Sequence, residues 1–230
     1  MLTIVLLPGM DGTGQLFDSF VAALGTEFGV KVIAYPTSES LGYAELAELT
    51  RAALPVEGSY VILGESFSGP VAIALAAAGL PRLKGLVLCC SFVRNPRPMF
   101  SGMGALASWL PVGSVPSAIL SPVLFGRFST KELRAALARA LALVSPSVLR
   151  ARLKAVLTVD MSAQLAAVKV PVLYLRASDD RLVPSGAAAA VAELKTQTRV
   201  VEVQGPHLLL QAVPAEAAEA VKAFVREIQG

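Results

Sequence analysis

The sequence predicts an α/β protein: a mostly parallel six-stranded sheet with helices on both faces and a helical cap. Three observations carry this. Six short blocks rich in Val, Ile and Leu occur at residues 3–7, 31–35, 60–63, 85–90, 172–175 and 199–203. Helical patterns separate most of them, and repeated strand-helix alternation builds parallel sheets flanked by helices. Most blocks are continuously apolar rather than alternating, as strands buried on both faces are.

The first block runs into the glycine-rich segment Pro8-Gly-Met-Asp-Gly-Thr-Gly14, then a helical pattern over 15–24. The second precedes a helix over 42–54. The third ends in Gly64-Glu-Ser-Phe-Ser-Gly69, which opens a helix over 69–79. The fourth ends at Cys89-Cys90. The fifth leads into Ser178-Asp-Asp-Arg-Leu-Val-Pro184 and a helix over 185–194. The sixth leads into Gln204-Gly-Pro-His207, with a helix over 214–229. Right-handed crossovers then set the winding, and functional groups should gather at the carboxyl ends of the strands.

Residues 94–166 break the alternation. They show no strand pattern and are punctuated by prolines such as Pro96, Pro98, Pro111, Pro116, Pro122 and Pro146, with helical patterns at 131–143 and 146–156. Phe100, Met103, Trp109, Leu110, Phe125 and Phe128 make the stretch rich in large apolar groups. A strandless stretch this long is expected to be functional. It reads as a cap inserted in a single domain spanning 1–230. Most of its apolar side chains would pack it onto the core, and a minority would line a pocket. Residues 94–98 and 110–116 are candidate hinges, with rigid connectors as the alternative.

A chain of 230 residues suits one domain with a sizeable core. The hydrophobic content is 54% and the mean hydropathy +0.63, so a membrane span has to be considered. Apolar runs such as 71–80 and 86–90 stop well short of the roughly 18 residues a span needs, so no stable membrane insertion is expected. The net charge of +3 comes from scattered residues including Arg134, Arg139, Arg150, Arg152 and Lys154. They read as solvated helix faces. With no dense basic run interleaved with aromatics, nucleic acid is not an expected partner. Cys89 and Cys90 lack metal or redox spacing. As strand neighbours they should point to opposite faces and stay unbridged. The chain begins directly on a strand block without a basic, signal-like segment, so a cytoplasmic location is expected. Oligomeric state leaves no trace in the sequence.

His207 is the only histidine. Ser66 sits between Gly64 and Ser68-Gly69 where an apolar strand meets a helix. A serine hydroxyl needs a base to become a nucleophile, and a sharp strand-to-helix turn with small neighbours presents its Oγ clear of the backbone. Ser68 would lie beyond that turn, and Ser91 lacks flanking glycines. His207 follows the last strand in a tight Gly-Pro loop and is the candidate general base. Asp179 and Asp180 are the candidates to orient it. The chain order Ser, Asp, His, each after its own strand, is that of a nucleophile elbow with its triad. Two backbone donors are then needed for an oxyanion: Phe67, just after the serine, and Met10, in the loop after the first strand, where Gly9 permits close approach. A phosphate or dinucleotide cradle is excluded, because Gly9, Gly12 and Gly14 match neither spacing and no lysine follows. This chemistry requires no metal or organic cofactor.

The segments at 7–14 and 64–69 resemble those of α/β-hydrolase-fold serine hydrolases, in particular compact bacterial carboxylesterases and related acyl-ester hydrolases and acyltransferases such as plant phytyl ester synthases. The resemblance runs nearly end to end. It implies the α/β-hydrolase fold, and it favours Asp180 over Asp179, because Asp-Arg-Leu-Val-Pro is similar to the family's acid loop. Asp179 would then cap the turn. Two departures stand out. Ser68 occupies the second small position, where Gly is usual, and Pro8-Gly9 replaces a common His-Gly. The two strands that often precede the oxyanion loop have no counterpart, which leaves six. The implied function is hydrolysis of an acyl ester, a small-molecule substrate, and the apolar cap suggests an uncharged short- to medium-chain one. The alternatives are acyl transfer to an alcohol and non-catalytic ligand binding.

Overall fold

The structure, a computed structural model, describes residues 1–99 and 117–229. Phe100, Met103, Trp109, Leu110 and all of the candidate hinge at 110–116 lie outside the described residues. Six strands form one sheet: β1 (Thr3–Leu7), β2 (Gly29–Val32), β3 (Tyr60–Glu65), β4 (Leu83–Cys89), β5 (Val172–Ala177) and β6 (Thr198–Val203). Their order is β2-β1-β3-β4-β5-β6, and every neighbouring pair is parallel. The helices are α1 (Asp18–Leu24), α2 (Tyr43–Ala52), α3 (Gly69–Ala77), α4 (Ser117–Leu124), α5 (Lys131–Ala142), α6 (Pro146–Thr158), α7 (Ser162–Ala167), α8 (Gly186–Leu194), α9 (Leu209–Ala212) and α10 (Pro214–Glu227).

The two-residue period of the strands divides the core. Val5, Leu7, Ile62, Leu86, Leu88 and Tyr174 face one side and pack with α2, α3, α7 and α8. Ile4, Leu6, Val61, Leu63, Val87 and Leu173 face the other and pack with α1, α9 and α10. Central strands therefore carry apolar residues at successive positions, which explains their unbroken blocks.

The order reverses direction between β1 and β3. The chain goes outward from β1 to β2, then returns to β3 and proceeds the other way. Such a switch point opens a crevice at the strands' carboxyl ends. The loops leaving it are the glycine-rich segment after β1 and the turn carrying Ser66 after β3.

Two local expectations change. The second strand, expected at 31–35, forms at Gly29–Val32. Ile33 N–H still bonds to Leu6 O, but Tyr35 N–H bonds to Gly12 O. The chain bends over the β1 loop and buries Ile33 and Tyr35, whose apolar pattern imitates a strand. Cys89 and Cys90, expected on opposite faces, lie in the same core layer, and both thiols are free. The reason is that Cys90 has φ 47° and turns the chain out of the strand. Contact with the Cys90 thiol, then burial, raises the Cys89 pKa well above its ordinary value.

The segment between β4 and β5 leaves and re-enters the core at one place. Arg94 and Asp160 form an antiparallel bridge. Asn95 N–H bonds to Val159 O at 3.1 Å, and Met161 N–H bonds to Val93 O at 2.8 Å. Helix α5 starts at Thr130, whose hydroxyl oxygen accepts the Leu133 N–H at 3.2 Å, a normal N-cap. Helix α6 starts on Pro146, where proline's missing N–H costs nothing. Among the described residues, no helix is long and apolar enough to cross a membrane.

Candidate active site

Ser66 follows β3 directly, at φ 46°. A non-glycine residue in this region is strained and persists only where its surroundings over-determine it. Here they do. Ser91 Oγ donates to Ser66 O at 2.6 Å, and Tyr174 OH donates to Ser91 O at 2.6 Å. This relay from β5 through the turn after β4 braces the serine from below. The flanking positions are small by necessity. A Cβ on Gly64 would meet Ser68 O at 2.7 Å, and one on Gly69 would meet Ser91 Oγ at 1.8 Å. Ser91, excluded as a nucleophile by its neighbours, is thus part of the support.

Leu7 pairs with Gly64 across β1 and β3, so the loop 8–14 emerges beside the Ser66 turn. Ser68 does more than leave room. Its hydroxyl donates to Pro8 O and receives Tyr35 OH at 2.8 Å, tying the start of α3 to the glycine-rich loop. Asp11 Oδ2 accepts from Thr13 N–H and Thr13 Oγ at 2.8 and 2.6 Å, which closes the loop on itself.

Ser66 Oγ lies 2.8 Å from His207 Nε2. His207 Nδ1 lies 2.9 Å from Asp180 Oδ2 and 3.0 Å from Asp180 Oδ1. A carboxylate only accepts, so the Nδ1 proton points at Asp180 and Nε2 is left to accept from the serine. His207 is 2% exposed. Backbone stitching brings the two loops together: Ser178 N–H bonds to Val203 O, and Asp179 N–H bonds to Gly205 O. The structure thus gathers Ser66, His207 and Asp180 in hydrogen-bond contact, with Phe67 buried beside them and Met10 in the adjoining loop.

Asp179 does not take the capping place expected of it. Asp180 Oδ1 itself accepts from Leu182 and Val183 N–H, both at 2.8 Å. Asp179 turns outward to Ser178 Oγ and to Arg127, 3.2 Å away. The residue two before Leu182 has the reach for an Asx-type turn.

Two residues in this region carry no sequence signal. Glu65, just before the serine, is 1% exposed. Burial first, with the Asp11 charge adding, pushes its pKa up to about 8, against partial lowering by Gln211 and Gly9 N–H. Its Oε1 and both Gln211 amide atoms have no well-formed hydrogen bond among the described residues. Glu65 is therefore a neutral acid at pH 7. Its contribution to stability is full below the ordinary value of 4.5, falls as the unfolded chain ionises, and is gone once the pH passes about 8. Glu65→Gln should flatten the fall of Tm between pH 5 and 8 and raise Tm above pH 8. A Tm slope equal to wild type's would disprove the buried titration. Arg152 is the second. Its sequence context reads as a solvated helix face, yet it is 1% exposed.

Among the described residues, no three of His, Cys, Asp and Glu gather as metal ligands would.

The fold is shared with known proteins. No curated protein matches the chain. A hydrolase from Oleispira antarctica superposes with a TM-score of 0.84 at 17% identity, covering 98% of this chain and 91% of that one. A thermophilic esterase from Thermogutta terrifontis gives 0.81 at 21% identity, over 100% and 91%. The enol-lactonase from Burkholderia xenovorans gives 0.72 at 20% identity, over 99% and 90%. Residues 4–220 match the alpha/beta hydrolase family. With that match over nearly the whole length, the chain belongs to the alpha/beta hydrolase family.

Proposed function

We propose that the protein is a serine carboxylesterase acting on uncharged short- to medium-chain acyl esters. The observation that carries this is the hydrogen-bonded series Ser66 Oγ, His207 Nε2 and Nδ1, Asp180, built on a strained turn at the switch point of the sheet. Ser66 Oγ attacks the ester carbonyl as its proton passes to His207 Nε2. Asp180 holds the ring and stabilises the imidazolium. The Met10 and Phe67 N–H groups receive the oxyanion. The intermediate expels the alcohol, which takes the proton from His207. Water, activated by the same histidine, then cleaves the acyl-enzyme and releases the acid. Fold similarity to an esterase and an enol-lactonase supports the reaction class.

Within a single domain, residues 94–166 act as the cap, and its apolar groups favour an acyl chain. One feature favours transfer to an alcohol as the second reading. Leu208, next to His207, is buried with Phe125 and Leu137 of the insertion, an apolar wall that disfavours water beside the base. The test is a p-nitrophenyl ester chain-length series, with and without an added alcohol. Free acid as the product supports the esterase, and new ester promotes the transferase. Absence of turnover, of a burst and of labelling by an organophosphate would leave only a binding role.

A further inference from the structure

We propose that Arg152 is the positioning residue of the oxyanion hole, holding both donor-bearing segments from helix α6 of the insertion. This rests on the esterase reading and deepens it. The Arg152 guanidinium reaches down to the β1 loop. Nη1 donates to Met10 O at 2.9 Å and to Asp11 O at 2.8 Å, and Nη2 donates to Pro36 O at 3.0 Å. The same group faces the Phe67 ring, 5.9 Å from its centroid, and the Tyr35 ring at 5.7 Å. Phe67 is further clamped by stacking on Tyr43, with centroids 4.9 Å apart. One side chain therefore touches both residues whose N–H groups would receive the oxyanion. Fixing the Met10 and Asp11 carbonyls fixes the peptide planes that follow the Met10 donor. Clamping the Phe67 ring restrains the backbone that carries the other.

The loop is shaped for this group. Gly12 has φ 70°, and a Cβ there would come within 2.4 Å of Arg152 Nη1. The planar fork suits the task, since it serves carbonyls from two loops while stacking on rings, which an ammonium cannot do. Burial lowers the Arg152 pKa from its ordinary value, and the charge of Asp11 offsets part of this. Charge-assisted bonds to carbonyls are the strong kind, so the contact is rigid. Seating of the insertion and geometry of the donors are then one event.

The test compares Arg152→Lys and Arg152→Met with wild type, beside Ser66→Ala. Misplacing a catalytic group by about 1 Å costs on the order of 100-fold. Both arginine variants should lose about 10- to 100-fold in kcat with KM within about 3-fold of wild type, as a group acting on the transition state alone requires. A trifluoromethyl ketone gives a second readout. Ser66 Oγ bonds to its carbonyl carbon, the C=O π pair becomes an oxyanion, and the serine proton moves to His207. Its affinity should weaken by the same factor as kcat. Arg152→Lys keeps the charge and most of the stem, which separates donor geometry from folding. A variant that lowers Tm while its folded fraction keeps wild-type kcat overturns the proposal, and so does a rise in KM alone. Full activity of Ser66→Ala would instead remove the esterase reading itself. Loss in Ser66→Ala with none in the arginine variants would remove only this inference.

Discussion

Ser66→Ala should lower kcat on p-nitrophenyl butyrate by about 10⁶-fold, with Tm little changed. The substitution removes one oxygen, whose contact is His207 Nε2. The brace from Ser91 uses the Ser66 carbonyl and survives, so the turn keeps its shape and its strain. His207→Ala should cost about as much, because the serine hydroxyl is not a competent nucleophile without its base. The double variant should be little worse than either single one, since the two act as a unit. Steady-state kinetics at a known concentration of folded protein measures all three. Activity above about 1% of wild type in Ser66→Ala would show that another group carries the reaction.

Asp180→Asn should cost about 10⁴-fold in kcat, whereas Asp179→Asn should change it by no more than a few-fold. The contrast follows from the contacts. In the Asp180→Asn variant the carboxamide oxygen can still accept from Leu182 and Val183 N–H, as Asp180 Oδ1 does, so the turn holds. The carboxamide NH₂ then faces His207 Nδ1, which must become the acceptor. Nε2 carries the proton instead and can no longer take one from Ser66. Asp179→Asn loses only a half-exposed pair with Arg127, worth little in water. Equal losses in the two variants, or a larger loss at Asp179, would reverse the assignment of the acid.

How much of this is readable in the linear chain depends on whether the signal is local. The continuous apolar blocks mark β1, β3, β4 and β5, because a strand buried on both faces has no polar alternation to confuse it. The Ser66 turn is visible because its steric demands fall on immediate neighbours, Gly64 and Ser68-Gly69. The lone histidine and the acid loop stand out because each follows a strand. The edge strand β2 is the one the pattern misplaces, since Ile33 and Tyr35 are buried by a bend that depends on Gly12, far back along the chain. Which aspartate meets the histidine rests on resemblance in the sequence, and it is seen directly only where the loops after β5 and β6 are stitched together.

By itself the sequence determined the class of sheet, the strand-turn-helix around Ser66 and the placing of Ser66, Asp180 and His207 each after its own strand, because these follow from side-chain periodicity and short-range sterics. Only the tertiary structure decided what surrounds them. It buried Glu65 without a carboxylate's usual solvation, made Ser91 and Tyr174 a brace, and turned Arg152 from a surface cation into an anchor for the glycine-rich loop. A residue's charge is written in the chain, but its solvation and its partners are set by elements far away in sequence, and these determine whether that charge is solvated, neutralised or put to use.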